Sequence, residues 1–371
     1  MIELAITKQH EYYEKRLGEL LKEMPDFINE YVEAKMDNRS PLTLFNYVRD
    51  YKEFLSWLMA DERVKWSSLK TFPVSLLGSL PLSDAQDYFK YVSRKKYEKA
   101  NESHKISSKT VNRHKSSLRS LFNYLTIEAE VLGTQGEPYF HRNVMKKIPI
   151  KKVSETFNER ARKISEKIFI GNEDLNFLEY IKNEYENTLS PSELKFFNRD
   201  KERNFAIISL FLGSGIRVNE LIELRLKDID SKNNEISIIR KGGKKDTIPV
   251  TPSSMLDVLD YLSIRNERYN AGNEESQYLF VKQYKGDTLP LTARAVENIV
   301  YKYTKSFDKR MAPHKLRHTY ATNLAEQTGG DIPLIMNQLG HTQSDISLLY
   351  INTSREKAKL AAERLDQRRN K

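Results

Sequence analysis

The longest apolar run in this 371-residue chain, Phe205 to Leu212, is only eight residues long and is interrupted by Ser209. A membrane-crossing helix needs about 20 apolar residues in a row. The stretch is therefore expected to be the inside of a folded domain, closed by the turn-forming Gly213-Ser214-Gly215. The chain exceeds one ordinary core, so two domains are expected. Elsewhere the apolar residues recur mainly at helical spacing, with alternation confined to one short region. The expected fold is mainly α with a small β-sheet or hairpin in the C-terminal domain.

Residues 1–39 read as one or two polar helices with a narrow stripe at Leu17, Leu20, Leu21 and Met24. The start, MIELAITKQHEYYEKRL, is charged too early for a signal peptide. Ser40 is an N-cap ahead of Pro41, and Leu44, Tyr47, Tyr51, Phe54, Leu55 and Leu58 follow at helical spacing. Ser83 opens another helix with Ala85, Tyr88, Phe89 and Val92 inward. Ser107 or Ser108 opens a third, with Val111, Leu118, Leu121, Phe122 and Leu125 as its apolar stripe. Lys109, Arg113, Ser116, Ser117 and Ser120 fall mostly opposite, where short serines between cations allow close approach to a phosphate backbone. Lys109, Arg113 and Lys115 are the candidate DNA contacts; a merely solvated basic face would have the same pattern.

The formal net charge is +10, with tyrosine and phenylalanine interleaved among the cations, which favours a polyanionic partner. Lys146 to Lys167 holds eight lysines and arginines against three glutamates. It reads as a basic connector, either laid along a duplex or simply disordered, and adds Lys151 and Lys152 as candidate contacts. The expected division is residues 1–145 for a helical domain that binds the polyanion, 146–167 for the linker and 168–371 for a C-terminal domain. The chain has no cysteine. That excludes disulfide scaffolds and thiolate metal sites and makes the cytoplasm the expected location.

In the C-terminal half, the two glycines set Arg217 at the mouth of a new helix, VNELIELRL. Asn233-Asn234 signals a hairpin whose strands run from Glu235 to Arg240 and from Thr247 to Val250. Lys241-Gly242-Gly243-Lys244-Lys245 lies between them. Three of the seven histidines then fall between Met311 and Tyr350: His314 and His318 flank Arg317 in APHKLRHTYAT, and His341 follows in NQLGHTQSD. His314 and Arg317 share a helical face. An arginine fork can hold two phosphate oxygens and a histidine can donate or move a proton, so a phosphodiester is a fitting guest.

Arg217, a hairpin lysine, His314-x-x-Arg317, His341 and Tyr350, in that order, resemble the tyrosine recombinase, or phage-integrase, family. The likeness covers residues 165–371 by motif and 40–130 by a looser helical pattern, and is greatest to the Xer recombinases, in particular the branch that works with a single recombinase. It implies a two-domain DNA clamp and a site-specific recombinase that resolves chromosome dimers. Tyr350 would attack phosphorus to give a 3′-phosphotyrosine, Arg217, Arg317 and His341 would stabilise the developing charge, Lys241 would protonate the 5′-oxygen, and His314 would assist at the nucleophile. His318 would support the site without acting. No metal, ATP or other cofactor is implied. Partners would be duplex DNA at a specific site, three further copies in a tetramer on two sites joined through the C-terminal helix, and a regulatory DNA motor. Arg240 departs from the family pattern, where glycine often precedes the lysine, and KGGKK offers three lysines, of which spacing from Arg217 favours Lys241. Other readings are a metal-dependent nuclease built on His314 and His318, a non-catalytic DNA-binding regulator, a phage or transposon integrase, and a type IB topoisomerase.

Overall fold

A computed structural model describes residues 8–60, 63, 65–99, 102–131, 136–150, 155–240, 243–271, 277–341, 347–350, 363 and 366. Contacts divide the chain into two units, Ile6–Val153 and a second from Ser154 to Lys371. The first comprises α1 (Lys8–Leu21), α2 (Asp26–Lys35), α3 (Pro41–Ala60), α4 (Ser75–Gly78), α5 (Leu82–Arg94), the hairpin β1 (Lys96–Lys99) with β2 (Glu102–Lys105), and α6 (Ser108–Asn123). Caps fall where side-chain oxygens precede apolar stripes: Ser40 accepts from the Thr43 amide at 3.4 Å and Ser107 from that of Thr110 at 3.2 Å. Tyr31, Val48, Tyr51, Phe54, Leu58, Tyr88, Leu118 and Phe122 fill the core.

The polar side of α6 differs from the expected open cationic face. Asp50 of α3 is buried and accepts from Arg113 at 2.7 Å and Ser117 at 3.0 Å. Burial pushes its carboxyl up to about 6 even though Arg113 pulls the other way. Ser120 meets the Tyr31 hydroxyl at 2.8 Å, and Lys115 donates to the Pro149 carbonyl at 2.7 Å. A carboxylate taken out of water must be paired, so Arg113 is committed inside its own unit, while Lys109 is exposed. Lys151 and Lys152 lie outside the described residues.

The stretch 146–167 is not one continuous connector. Val144, Met145 and Ile148 are buried in the core of the first unit, with Lys146 and Lys147 in a short 3-10 turn. Phe157–Ser165 forms α7 of the second unit, capped by Thr156. The basic composition masked apolar anchors at one end and a capped helix at the other.

The second unit continues with α8 (Glu173–Asn183), α9 (Pro191–Ser214), α10 (Val218–Glu223), β3 (Ile229–Asp230), β4 (Glu235–Ile239), β5 (Lys245–Pro249), α11 (Pro252–Tyr269), β6 (Val281–Tyr284), β7 (Asp287–Pro290), α12 (Ala293–Ser306), α13 (Pro313–Gln327) and α14 (Ile332–Leu339), and Ser347–Tyr350 form a further helical turn. β3, β4 and β5 make an antiparallel sheet in which Ile236 pairs with Ile248, and both are buried with Ile238. α9 is the central element. It is 24 residues long, opened by Ser190 and Glu193 in a capping box and closed by Gly215. The helix expected after Arg217 stops at Glu223, because Arg225 turns into a bridge with Tyr278. The C-terminal helix expected after Tyr350, with Ser354 as its cap and Ala358, Ala361, Ala362 and Leu365 as its stripe, lies outside the described residues.

Gly215 has φ +66, and a β-carbon there would run into the Tyr320 ring. Gly215→Ala should therefore cost about 1–3 kcal/mol for the left-handed backbone alone, before any clash. Thermal unfolding of the full chain should show a midpoint several degrees lower; an unchanged midpoint would contradict this account of the turn.

Candidate active site

Helix α13 begins with Pro313 at its first position and buries Leu316, Thr319, Ala321, Thr322 and Ala325, which leaves His314, Arg317 and His318 together along one edge. Arg317 is only 2% exposed. Its guanidinium donates to the carbonyls of Gly215 and Leu339, which end α9 and α14. Arg217 precedes α10 and donates to Glu220 at 2.7 Å and to the Gly340 carbonyl at 3.2 Å. The same carboxylate accepts from the Arg217 amide at 2.9 Å, so Glu220 fixes both ends of this residue.

A third arginine completes the arrangement. Arg240, leaving β4, donates to Asp246 at 2.8 Å, Gln338 O at 2.8 Å, Asn337 O at 3.3 Å and Glu220 at 3.5 Å. The four successive carbonyls of residues 337–340 thus receive three guanidinium groups. Carbonyls at a helix C-terminus lack partners within the helix and carry partial negative charge. Glu220 and Asp246 offset part of the cationic charge, and the side chain of Arg217 remains 35% exposed. An anion reaching Arg217 would meet a prepared excess of positive charge.

Tyr350 is 1% exposed and packs with Ala321, Ala325, Ile335 and Leu339. Its hydroxyl lies 2.7 Å from His318 Nδ1, and its ring stacks on His341 with centroids 6.2 Å apart. Gly340, at φ +58, turns the chain so that His341 follows α14 directly, and a β-carbon on Gly340 would sit 2.8 Å from Arg240 Nε. His341 then has Nδ1 3.1 Å from Ser347 Oγ and Nε2 3.5 Å from Arg317. His314 is exposed, with its ring edge-on to His318 at 4.1 Å.

The charge states follow from burial among cations. Burial pushes the Tyr350 phenol up to about 12, with Arg317 and Arg217 pulling it back. Burial and then the charges of His314, Lys315 and Arg317 hold His318 down at about 2. Burial with Arg317 and Arg217 brings His341 to about 4. Burial and Arg217 lower Arg317 to about 10, which leaves it charged at neutral pH. The site at pH 7 holds charged guanidiniums, neutral imidazoles and a protonated phenol.

Residues 182–357 match the phage integrase family. The tyrosine recombinase XerS of Streptococcus agalactiae is 40% identical over 95% of this chain and 98% of its own length. The chain belongs to the phage integrase family, among the Xer-type tyrosine recombinases. The XerS of Streptococcus thermophilus is 38% identical over 98% of this chain and 99% of its own length. Among solved folds, XerH site-specific recombinase bound to a palindromic difH substrate superposes with a TM-score of 0.61 at 21% identity, covering 90% of this chain and 82% of that one. A lambda integrase dimer bound to a core site gives 0.55 at 14% identity, covering 89% and 95%. The family fold and the arginine, histidine and tyrosine cluster coincide in one unit.

Arg217, Arg317, His341 and Tyr350 are gathered as the sequence order suggested, and His314 stands at the edge beside His318. Lys241 lies outside the described residues. The neighbouring hairpin residues are described: the Arg240 amide donates to Lys244 O at 2.7 Å, and Lys244 is exposed. In the sequence Arg240 stands out only as a departure from the family pattern, and His318 only as a support beside Arg317. The i,i+4 pair of His314 and His318 is directed at itself and at Tyr350. No helix among the described residues is long and apolar enough to cross a membrane.

Two outcomes follow from this wiring. Arg240→Leu leaves the buried Glu220 and the α14 carbonyls short of a donor, and breaking such a buried pair costs about 3–5 kcal/mol; urea unfolding at pH 7 should register that loss. The second outcome concerns acid. His318 and His341 have folded pKa values below the unfolded value of about 6.5, so their contribution is complete above pH 6.5 and is lost as the pH falls. Between about pH 6.5 and 4 each steepens the decline by up to about 1.4 kcal/mol per pH unit. His341→Gln should flatten the curve of unfolding free energy against pH in that window; an unchanged slope would refute the assignment.

Proposed function

We propose that this chain cuts and rejoins duplex DNA at a specific site through Tyr350, and that it resolves chromosome dimers in the cytoplasm. The observation that supports this most is the fixing of Arg217 and Arg317 on one helix end beside a buried tyrosine hydroxyl. The phenol oxygen attacks the scissile phosphorus, forming a 3′-phosphotyrosine while the 5′-oxygen leaves. The bond energy stays in the ester, so rejoining needs no ATP. Arg217 and Arg317 hold the non-bridging oxygens and stabilise the charge that grows on them, and His341 adds a hydrogen bond. The same two charges favour loss of the phenol proton as the bond forms. His314, at the solvent edge, assists that proton's departure, and Lys241 protonates the leaving 5′-oxygen.

Lys109, Lys151 and Lys152 are the proposed phosphate contacts, while Arg113 and Lys115 are held by Asp50 and the Pro149 carbonyl. The Xer names of the relatives support a chromosomal substrate. A tetramer on two DNA sites, linked through the segment after Tyr350 and activated by a DNA motor, is the proposed working assembly.

Tyr350→Phe should abolish covalent complex on a nicked suicide duplex and leave DNA affinity nearly intact, because only the nucleophilic oxygen is removed. Continued cross-linking would move the nucleophile elsewhere. Lys241→Ala should lose most of its cleavage rate on normal DNA and regain it on a substrate with a 5′-bridging sulfur, whose thiolate leaves without a proton. If Lys244→Ala shows that rescue and Lys241→Ala does not, the general acid is Lys244.

A further inference from the structure

His318 has no assigned role in the scheme above, yet it touches the atom that reacts. We propose that His318 is a positioning residue for the nucleophile: its Nδ1 accepts the Tyr350 hydroxyl in a hydrogen bond that sets the phenol's orientation before a phosphate enters. This inference rests on the reading of Tyr350 as nucleophile.

The first support is geometric. Tyr350 Oη and His318 Nδ1 are 2.7 Å apart, the length of a strong hydrogen bond. Alanines, Ile335 and Leu339 enclose the phenol ring without fixing the hydroxyl. A directional partner for the oxygen supplies what apolar packing does not. His318 is itself held, because it follows Arg317 on α13 and its ring lies against that of His314. The phenol is thereby hung on the same rigid helix as the phosphate-holding Arg317. Helix geometry then fixes the relation between nucleophile and guanidinium, and placement of that kind is worth large factors in rate.

The direction of the bond follows from the charges around it. The buried phenol keeps its proton, and His318, buried and beside Lys315 and Arg317, is neutral. The O–H therefore donates to Nδ1, and Nε2 carries the imidazole hydrogen. Burial and the charges of Lys315 and Arg317 oppose a net proton transfer to His318. Its part is to orient the phenol, and the proton leaves by another route during attack.

Three full-length variants test this. Asparagine places an amide oxygen near the Nδ1 position, glutamine places its oxygen farther out, and leucine offers no acceptor. DNA affinity, thermal midpoint and single-turnover covalent complex formation are measured on a nicked suicide duplex at saturating protein. His318→Leu and His318→Gln should form the covalent complex about 10- to 100-fold more slowly, the range that misplacement of a reacting group produces. Their DNA affinity should stay within about 2-fold of the parent, since no phosphate contact has been removed. His318→Asn should recover most of the rate. Should leucine prevent folding, the contrast between asparagine and glutamine carries the test. Equal rates for asparagine and glutamine, or a parental rate with either glutamine or leucine, would overturn the proposal. Covalent complex in Tyr350→Phe would instead remove the functional reading beneath it.

Discussion

The end of helix α14 is the interaction on which the second unit depends. Arg217, Arg240 and Arg317 come from three separate elements, and two like charges about 6 Å apart repel by about 3 kcal/mol at an effective dielectric of 20. They converge because the carbonyls of residues 337–340 offer a patch of partial negative charge, and because Glu220 bridges two of them. The arrangement fixes α10, the β4–β5 hairpin, α13 and α14 to one another at one point. His341 and Tyr350 follow from that point along the chain. The fold and the chemistry are therefore supported by the same bonds.

Much of this was legible in the sequence. Apolar residues at helical spacing gave the helices of the first unit, and the glycines before Arg217 marked a helix end. The pairing of Arg217 with Glu220 was open to a local reading, because three residues along a helix bring two side chains together. Arg240 was not, since its carbonyl partners are 97 and 98 residues away, and no local spacing encodes such a contact. The early part of α9 escaped notice because its polar residues interrupt the apolar pattern that the later part displays.

Arg113 shows the same limit from the opposite side. On a helical wheel it belongs to a basic face, and that face could have been open. The deciding residue is Asp50, 63 positions earlier, whose buried carboxylate takes Arg113 and Ser117 for itself. Composition reports how many cations a chain has, whereas the number available to a partner depends on which carboxylates are buried with them. The same reasoning applies to 146–167, where Ile148 in the core outweighed the charge of its neighbours.

Gly340 turns the site into a set of positions that cannot drift independently. A side chain there would meet Arg240, and without Arg240 the buried Glu220 would lose a donor. Gly215 stands in the same relation to Tyr320, with Arg317 bonded to its carbonyl. A single exchange at either glycine therefore disturbs an arginine or tyrosine that another part of the cluster relies on. Changes elsewhere in the second unit are therefore tolerated only where they leave this glycine and arginine framework intact.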